Sequence, residues 1–514
     1  MQAKILWADD EIDLLKPHIL FLNQKGYEVD AVHSGNEAIE KCENSVYDIV
    51  FLDENMPGIS GLDALDKIKE LHPHMPVVMI TKSEEESIME EAIGGKIADY
   101  LIKPVNPNQI LLTLKKNLDQ SKLVSAKVNT DYQREFRQIG MDLNDRLSAD
   151  EWKVMYKRLV NWDLEFAKME DQGMSEVFDM QMKEANQAFV RFVEDNYLDW
   201  MDGEEGKPQM LHTLYKDKIA PIVKKEQVYL FVIDNLRYDQ YLVIREALSK
   251  YFTFENEDIV YSILPTATQY ARNAFFAGLM PSEIQKKHPE YWVGENEEGS
   301  KNNFEKDLLQ KQLDRLGSDA KTAYRKILDI EQGKKLVENI SQLKNNDLNV
   351  IVYNFVDMLS HARTDMKMIR ELADDEAAYR SLTASWFEHS PLNDMLKEIA
   401  KTKAKVIITT DHGTVKVNKA VKVIGLKDTN TNLRYKVGKN LNYSQKEVFE
   451  VKNPDHAYLP KDNISDVFIF CKNNDFFVYP NNMNHYVKYY SDTFQHGGLS
   501  LEEMLIPYVE MRGK

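Results

Sequence analysis

The sequence predicts an α/β multidomain protein with a strand–helix module at each end and an α-helical bundle between them. Three observations carry this. Short apolar runs alternate with amphipathic stretches over residues 1–120 and again over 221–514. Residues 121–220 show helical spacing of apolar residues and little strand signal. The chain has 514 residues, too many for one hydrophobic core.

The N-terminal alternation is regular. AKILWA, EVDAV, DIVFLD, PVVMIT and ADYLIK read as five strands. The helices between them are expected over residues 12–24, 35–42, 61–71 and 84–93, with a last one over 108–118. Such alternation argues for a parallel, doubly wound sheet. Polar residues gather at the carboxyl ends of the strands: Asp9 and Asp10 end the first, Asp53 the third, Thr81 the fourth and Lys103 the fifth. Crowded carboxylates repel one another, so they bind a hard cation such as Mg²⁺ or shift their own pKa values. Lys103 can neutralise added charge, and Thr81 can donate a hydroxyl to a phosphoryl oxygen.

In ADDE, DIVFLDENMPGISGLDAL, MITKSEEE and DYLIKP this module resembles response-regulator receiver domains, which are flavodoxin-like. The resemblance implies that Asp53 accepts a phosphoryl group from a sensor histidine kinase. Asp9, Asp10, Asp53 and the carbonyl of Asn55 would hold Mg²⁺. Thr81 and Tyr100 would act as switch residues alongside Lys103, and the Lys103–Pro104 bond would be cis. Phosphorylation would then pair chains into a homodimer through the face made by residues 84–118. The alternative is a scaffold that keeps the fold and is never phosphorylated.

In the middle segment, Trp152, Met155, Leu159, Trp162 and Phe166 share one helical stripe. Phe178, Met182, Phe189, Phe192 and Tyr197 suggest another. Both fit a bundle whose methionines and aromatics form core or, alternatively, an interaction surface. DGEEGKP at 202–208 reads as a turn or linker.

The C-terminal module carries the densest chemistry. VYLFVID closes on Asp234, NVIVYNFVD on Asp357, and KVIITTDH on Asp411 and His412. Ligands at the carboxyl ends of parallel strands meet at one sheet edge. Asp357 and His361 are four residues apart, and His496 precedes two glycines. A mixed carboxylate and imidazole set suits Zn²⁺ better than Mg²⁺ or Ca²⁺. PTATQYARNAFFAG reads as a strand end, a turn and a helix start. It places the Thr268 hydroxyl where backbone N–H groups favour an anion. A bound metal would make that hydroxyl a nucleophile. Arg272, one turn on, either contacts a substrate phosphate or caps the turn.

The order Asp, Thr, Asp-x3-His, Asp-His, His, with Thr268, Arg272 and Gly278 at their spacing, resembles the alkaline phosphatase superfamily. IDNLRYD at 233–239 is similar to the signature of PglZ domains. The resemblance implies one zinc held by Asp357, His361 and His496. A second would be held by Asp234, Asp411, His412 and Thr268. It further implies hydrolysis of phosphodiesters, including cyclic and linear oligonucleotides. A receiver, a bundle and a PglZ domain in this order resemble response regulators that control type IX secretion. That implies a sigma factor and a secretion-motor protein as partners.

Composition limits the alternatives. Hydrophobic residues make up 43% and charged residues 29%, as in ordinary globular proteins. No apolar run approaches the roughly 20 residues that span a bilayer, and no secretory signal is visible, so a cytoplasmic location is expected. Cys42 and Cys471 lie in unrelated segments, which speaks against a disulfide. The net charge of −18 opposes non-specific duplex DNA binding, and no reader helix is evident, so a DNA-binding regulator is the weaker class. A protein-binding regulator with structural metals is the stronger rival. A Lys-rich stretch contains Lys416, Lys419, Lys422, Lys427, Arg434, Lys436 and Lys439. It reads either as a groove for a polyanionic substrate, with Lys416, Lys419 and Lys422 in contact, or as a solvated hairpin balancing acidic neighbours.

Overall fold

The computed structural model describes residues 3–73, 75–82, 97–114, 117–118, 120–168, 173–203, 206–357, 359, 375–426 and 429–514. It divides into two compact units, Met1–Gln133 and Arg134–Lys514.

In the first unit, β1 (Lys4–Ala8), β2 (Glu28–Val32), β3 (Ile49–Asp53), β4 (Val77–Thr81) and β5 (Asp99–Ile102) form a sheet of order β2-β1-β3-β4-β5. All its pairings are parallel. β3 and β4 are buried along their whole length, which is why both read as continuous apolar runs. Helices Gly35–Asn44 and Gly61–Leu71 start where Ser34 and Ser60 accept from the N–H groups of Glu37 and Asp63. A Cβ on Gly61 would lie 2.1 Å from the Asp53 carbonyl oxygen, so only glycine lets the loop pass that close to the phosphoacceptor strand. The Lys103–Pro104 bond is cis, as expected. The helix expected over 84–93 lies outside the described residues. The last helix spans Pro107–Leu114.

The second unit is built on a six-stranded sheet. Its members are β6 (Val228–Ile233), β7 (Phe252–Tyr261), β8 (Thr322–Ile327), β9 (Leu348–Tyr353), β10 (Lys405–Thr409) and the C-terminal strand Leu505–Gly513. The order is β7, C-terminal strand, β10, β6, β9, β8. β10, β6, β9 and β8 run parallel, so their carboxyl ends share one edge. The sheet is not parallel throughout: the C-terminal strand is antiparallel to both β10 and β7. The second sheet is therefore mixed. All three strands that end in candidate ligands belong to its parallel part.

Helices Ala149–Phe166 and Gly173–Asp202 belong to this same unit. Ser148 and Glu151 form a capping box that starts the first. The aromatic stripes are core. Trp152 packs edge-on to Phe189 with centroids 5.3 Å apart, and Phe189 reaches Tyr261 of β7 at 6.2 Å. The Tyr261 hydroxyl donates to the Ala149 carbonyl at 2.8 Å, and the Tyr197 hydroxyl accepts from the Leu264 amide at 2.8 Å. Side-chain burial and buried hydrogen bonds thus fasten the helices directly to the sheet. Both cysteines are free and buried. No helix among the described residues is long and apolar enough to cross a membrane.

Candidate active site and phosphoacceptor site

In the first unit the strand ends bring Asp9, Asp10 and Asp53 together, each with an oxygen within 4.8 Å of the others. Asp9 and Asp53 are buried and Asp10 is exposed, so the cluster opens to solvent on one side. Lys103 Nζ lies 2.9 Å from Asp9 Oδ2 and 3.0 Å from Asp53 Oδ2. Burial raises the Asp53 pKa; Lys103 opposes this by hydrogen bonding, and the Asp9 charge adds to it. Burial works against the Lys103 charge, yet its bonds to Asp9 and Asp53 outweigh that and raise its pKa. Thr81 is buried, and its hydroxyl donates to Glu54. Asn55 is exposed beside the cluster, and Tyr100 is partly buried against the hydrophobic core. Residues 84–96, 115 and 116 of the expected 84–118 pairing face lie outside the described residues.

In the second unit, Asp234 follows β6, Asp357 follows β9, and Asp411 and His412 follow β10. Thr268 is the first residue of helix Thr268–Ala277, which faces the same edge. Asp234, Asp411 and His412 each place a ligand atom within 4.8 Å of the others, and all three are buried. The Thr268 hydroxyl lies 3.1 Å from His412 Nε2 and 3.5 Å from Asp234 Oδ1. The rings of His412 and His496 stack with centroids 4.3 Å apart. His496 Nε2 lies 3.9 Å from Asp357 Oδ1. Six of the seven expected ligands therefore converge. The seventh, His361, lies outside the described residues.

The imidazoles are oriented by the backbone. His412 Nδ1 is 3.1 Å from the Gly413 carbonyl oxygen, and His496 Nδ1 is 3.1 Å from that of Thr266. A carbonyl only accepts, so both rings carry their proton on Nδ1 and turn the Nε2 lone pair into the cleft. Asp411 Oδ1 accepts from the amides of Asn235 at 3.2 Å and His412 at 3.1 Å. Its Oδ2 is buried with no hydrogen-bond donor among the described residues. Burial raises the pKa of both Asp234 and Asp411; the Arg272 charge opposes this in each case. The tight Asp411–Gly413 turn needs its glycine, because a Cβ there would lie 2.0 Å from the Glu502 carbonyl oxygen.

Arg272 is buried among carboxylates of the cleft. It is 2% exposed, with Nη1 2.5 Å from Asp234 Oδ2 and 3.7 Å from Asp411 Oδ2, and Nε 2.6 Å from Glu305 Oε1. Its guanidinium thus pairs with Asp234 and Glu305 and faces Asp411. Other supporting residues also escaped the sequence reading. Thr410 accepts from the Leu236 amide at 3.0 Å. Arg237 binds Asp239 within the IDNLRYD segment and also pairs with Glu376 at 2.5 Å. Asn235 has a φ of +64°, and that left-handed conformation suits asparagine, a hint the sequence did carry. Glu305 gave no such hint, because only the fold brings it to Arg272.

The Lys-rich stretch is not one basic surface. Arg434 is fully buried on Glu503, with Nη2 to Oε2 at 2.5 Å. Lys436 is also buried; its Nζ donates to the Asn430 carbonyl at 2.8 Å, and burial lowers its pKa to about 8. Lys419 pairs with Asp475 at 3.1 Å and Glu447 at 3.5 Å. Lys416 lies in the strand Val415–Lys416, and Lys422 is exposed. Lys427 lies outside the described residues.

Three family models match the chain. The BREX system PglZ alkaline phosphatase-like domain matches residues 214–511. The PorX response regulator linker domain matches residues 122–201, and the response regulator receiver domain matches residues 5–115. The chain is 29% identical over 157 residues to the transcriptional regulatory protein ResD of Bacillus subtilis, covering 30% of this chain and 65% of that protein. It is 34% identical over 122 residues to the alginate biosynthesis transcriptional regulatory protein AlgB of Pseudomonas syringae pv. tomato, covering 24% of this chain and 27% of that one. The chain thus spans less than two thirds of the length of either relative. A CheY-like receiver domain protein from Methanospirillum hungatei is 31% identical, with 23% of this chain and 96% of that one covered and a TM-score of 0.22. Receiver domains and alkaline phosphatase-like domains generally bind metal ions. The chain belongs to the PglZ alkaline phosphatase-like family and is a two-component response regulator that joins a receiver domain to that effector.

Proposed function

We propose that the effector is a zinc-dependent phosphodiesterase acting on cyclic and linear oligonucleotides, that phosphorylation of Asp53 governs it, and that the output regulates type IX secretion from the cytoplasm. The convergence of Thr268, Asp234, Asp411, His412, Asp357 and His496 at one sheet edge carries this reading.

The donor set fits zinc. Two neutral imidazoles present Nε2 to the cleft, and the buried Asp411 Oδ2 lacks a hydrogen-bond donor among the described residues. Asp234, Asp411, His412 and Thr268 would hold one ion; Asp357 and His496, together with His361, would hold the other. Bound zinc would lower the Thr268 pKa and neutralise charge on the phosphoryl group. Thr268 stands at the start of a ten-residue helix, whose free N–H groups favour the phosphoryl oxygens. The Thr268 oxygen attacks phosphorus in line, the bond to the leaving alcohol breaks, and water then hydrolyses the phosphothreonyl ester.

In this reading the receiver is residues 1–120, the helical bundle 121–220 and the effector 221–514; the matched ranges 5–115, 122–201 and 214–511 support that order. In the receiver, Asp9, Asp10 and Asp53, with the Asn55 carbonyl, would hold Mg²⁺. Thr81, Tyr100 and Lys103 would respond to the phosphoryl group by pairing chains into a homodimer. The secretion role, with a sigma factor and a secretion-motor protein as partners, rests on the resemblance of this domain order to response regulators that control type IX secretion; the match of the linker to a response regulator linker family is in keeping with that order.

Zinc analysis of the purified chain alongside turnover of bis-p-nitrophenyl phosphate and short oligonucleotides tests the catalytic reading. About two zinc ions per chain and turnover that disappears in Thr268→Ala are expected. A zinc-free protein, or undiminished turnover in that variant, overturns it. Retained signalling without turnover would favour the protein-binding regulator. Charge reversal at Lys419 and Lys422 should raise the oligonucleotide KM, and an unchanged KM removes those lysines from the site.

A further inference from the structure

We infer that Glu305 is a positioning residue of the metal centre, acting through Arg272 to keep the Asp234–Asp411 cluster negative enough to hold a divalent cation. The inference rests on the metal-centre reading above and adds a residue that no motif contains.

Arg272 is the one cation buried against the cleft carboxylates among the described residues, with Nη1 2.5 Å from Asp234 Oδ2 and 3.7 Å from Asp411 Oδ2. A guanidinium there carries two consequences. It makes burial of two adjacent carboxylates tolerable. It also repels any cation those carboxylates are meant to bind. An arginine with no counter-charge would compete with the metal for its own ligands.

Glu305 supplies the counter-charge on the far side. It is 1% exposed at the start of helix Glu305–Arg315, and its Oε1 accepts from Arg272 Nε at 2.6 Å. Its Oε2 accepts from the Tyr324 hydroxyl and lies 3.2 Å from Lys326 Nζ. Both oxygens are therefore fixed, and Glu305 in turn fixes the plane of the guanidinium. Asn302, just before this helix, donates to the Thr268 carbonyl at 2.9 Å, so the segment that carries Glu305 is tied to the nucleophile. In this arrangement Arg272 braces Asp234 without cancelling its charge. Lys326 sits at the outer end, where its side chain is 23% exposed and water screens it.

The sign of the effect follows. Glu305→Gln keeps the size and removes one negative charge, so Arg272 weighs more heavily on Asp234 and Asp411. Lys326→Gln removes a positive charge and acts in the opposite direction.

Zinc affinity of the full chain, measured by competition with a chromophoric chelator, tests this without relying on turnover. Glu305→Gln should weaken zinc binding at least about tenfold, given a unit charge at this range in partly buried surroundings. Lys326→Gln should tighten it. In an Arg272→Met background, Glu305→Gln should lose most of its effect, because Arg272 transmits it. An unchanged affinity in Glu305→Gln, or a full additional loss in the double variant, overturns the inference. If Glu305→Gln does not fold, Lys326→Gln decides alone, and unchanged or weaker zinc binding refutes the proposal. Asp234→Asn is the control for the underlying reading. If it too leaves zinc affinity unchanged, the metal centre itself is wrong; if it weakens binding while Glu305→Gln does not, only the role of Glu305 fails.

Discussion

His412 and His496 stack with ring centroids 4.3 Å apart, and each commits its Nδ1 proton to a backbone carbonyl 3.1 Å away. Two protonated rings at that separation would repel, so the pair is built for neutral imidazoles with lone pairs turned to a common centre. Chelation should therefore cost stability as well as activity. At free zinc a hundredfold above Kd the bound ion adds about 2.7 kcal/mol. Calorimetry with and without chelator should show a lower Tm for the stripped chain, restored by zinc; coincident transitions would contradict a preformed zinc site.

Thr268 should be essential as a hydroxyl rather than as a packing group. Thr268→Ala should lower kcat at least about 10³-fold on a phosphodiester, the scale seen when a catalytic nucleophile is removed. Thr268→Ser should retain part of the rate. Equal loss in both variants would show that the methyl group, and so packing, matters more than the nucleophile.

Arg434 and Glu503 form a fully buried pair beneath the loop that carries His496, and Glu503 also accepts from the Gly498 amide at 2.9 Å. Arg434→Met strands the carboxylate and should destabilise the second unit by about 3–5 kcal/mol. Denaturant unfolding measures this. A change below about 1 kcal/mol would mean that the loop relaxes to hydrate Glu503.

His212 is buried, and desolvation lowers its pKa from 6.5 to about 4. A depressed folded-state pKa contributes stability above pH 6.5; that stability is lost as pH falls toward 4, because the unfolded chain takes the proton first. The full loss is about 3 kcal/mol. Denaturant titrations between pH 7 and 4 should show a shallower acid loss in His212→Gln than in wild type. Parallel curves would mean that His212 takes up its proton as readily in the native state as in the unfolded chain.

Asp53 is held by Lys103 at 3.0 Å in a cluster open on the Asp10 side. Acetyl phosphate with Mg²⁺ should label the wild type and raise its scattering mass toward a dimer, with no response in Asp53→Ala. Wild-type mass that does not move would sever phosphorylation from dimerisation.

Much of the chemistry could be read from the chain because strand ends are local. An apolar run that closes on Asp53, Asp234 or Asp411 announces both the strand and the side chain at its tip. The helical stripes through Trp152 and Phe189 were equally legible as core. What they pack on was not, because the partner Tyr261 lies on β7, far along the chain. The Lys-rich stretch was less legible for a similar reason. Charge counted along the sequence cannot show that Arg434 and Lys436 turn inward, one to a carboxylate and the other to a carbonyl.

The sequence by itself determined which residue types stand at the sheet edges and in what order, because period and termination are properties of neighbouring residues. Only the tertiary structure decided how those groups are supported: Glu305 against Arg272, two imidazoles oriented by carbonyls, and a C-terminal strand that makes the second sheet mixed. Such contacts join segments distant in the chain, and burial together, rather than any local pattern, is what fixes them.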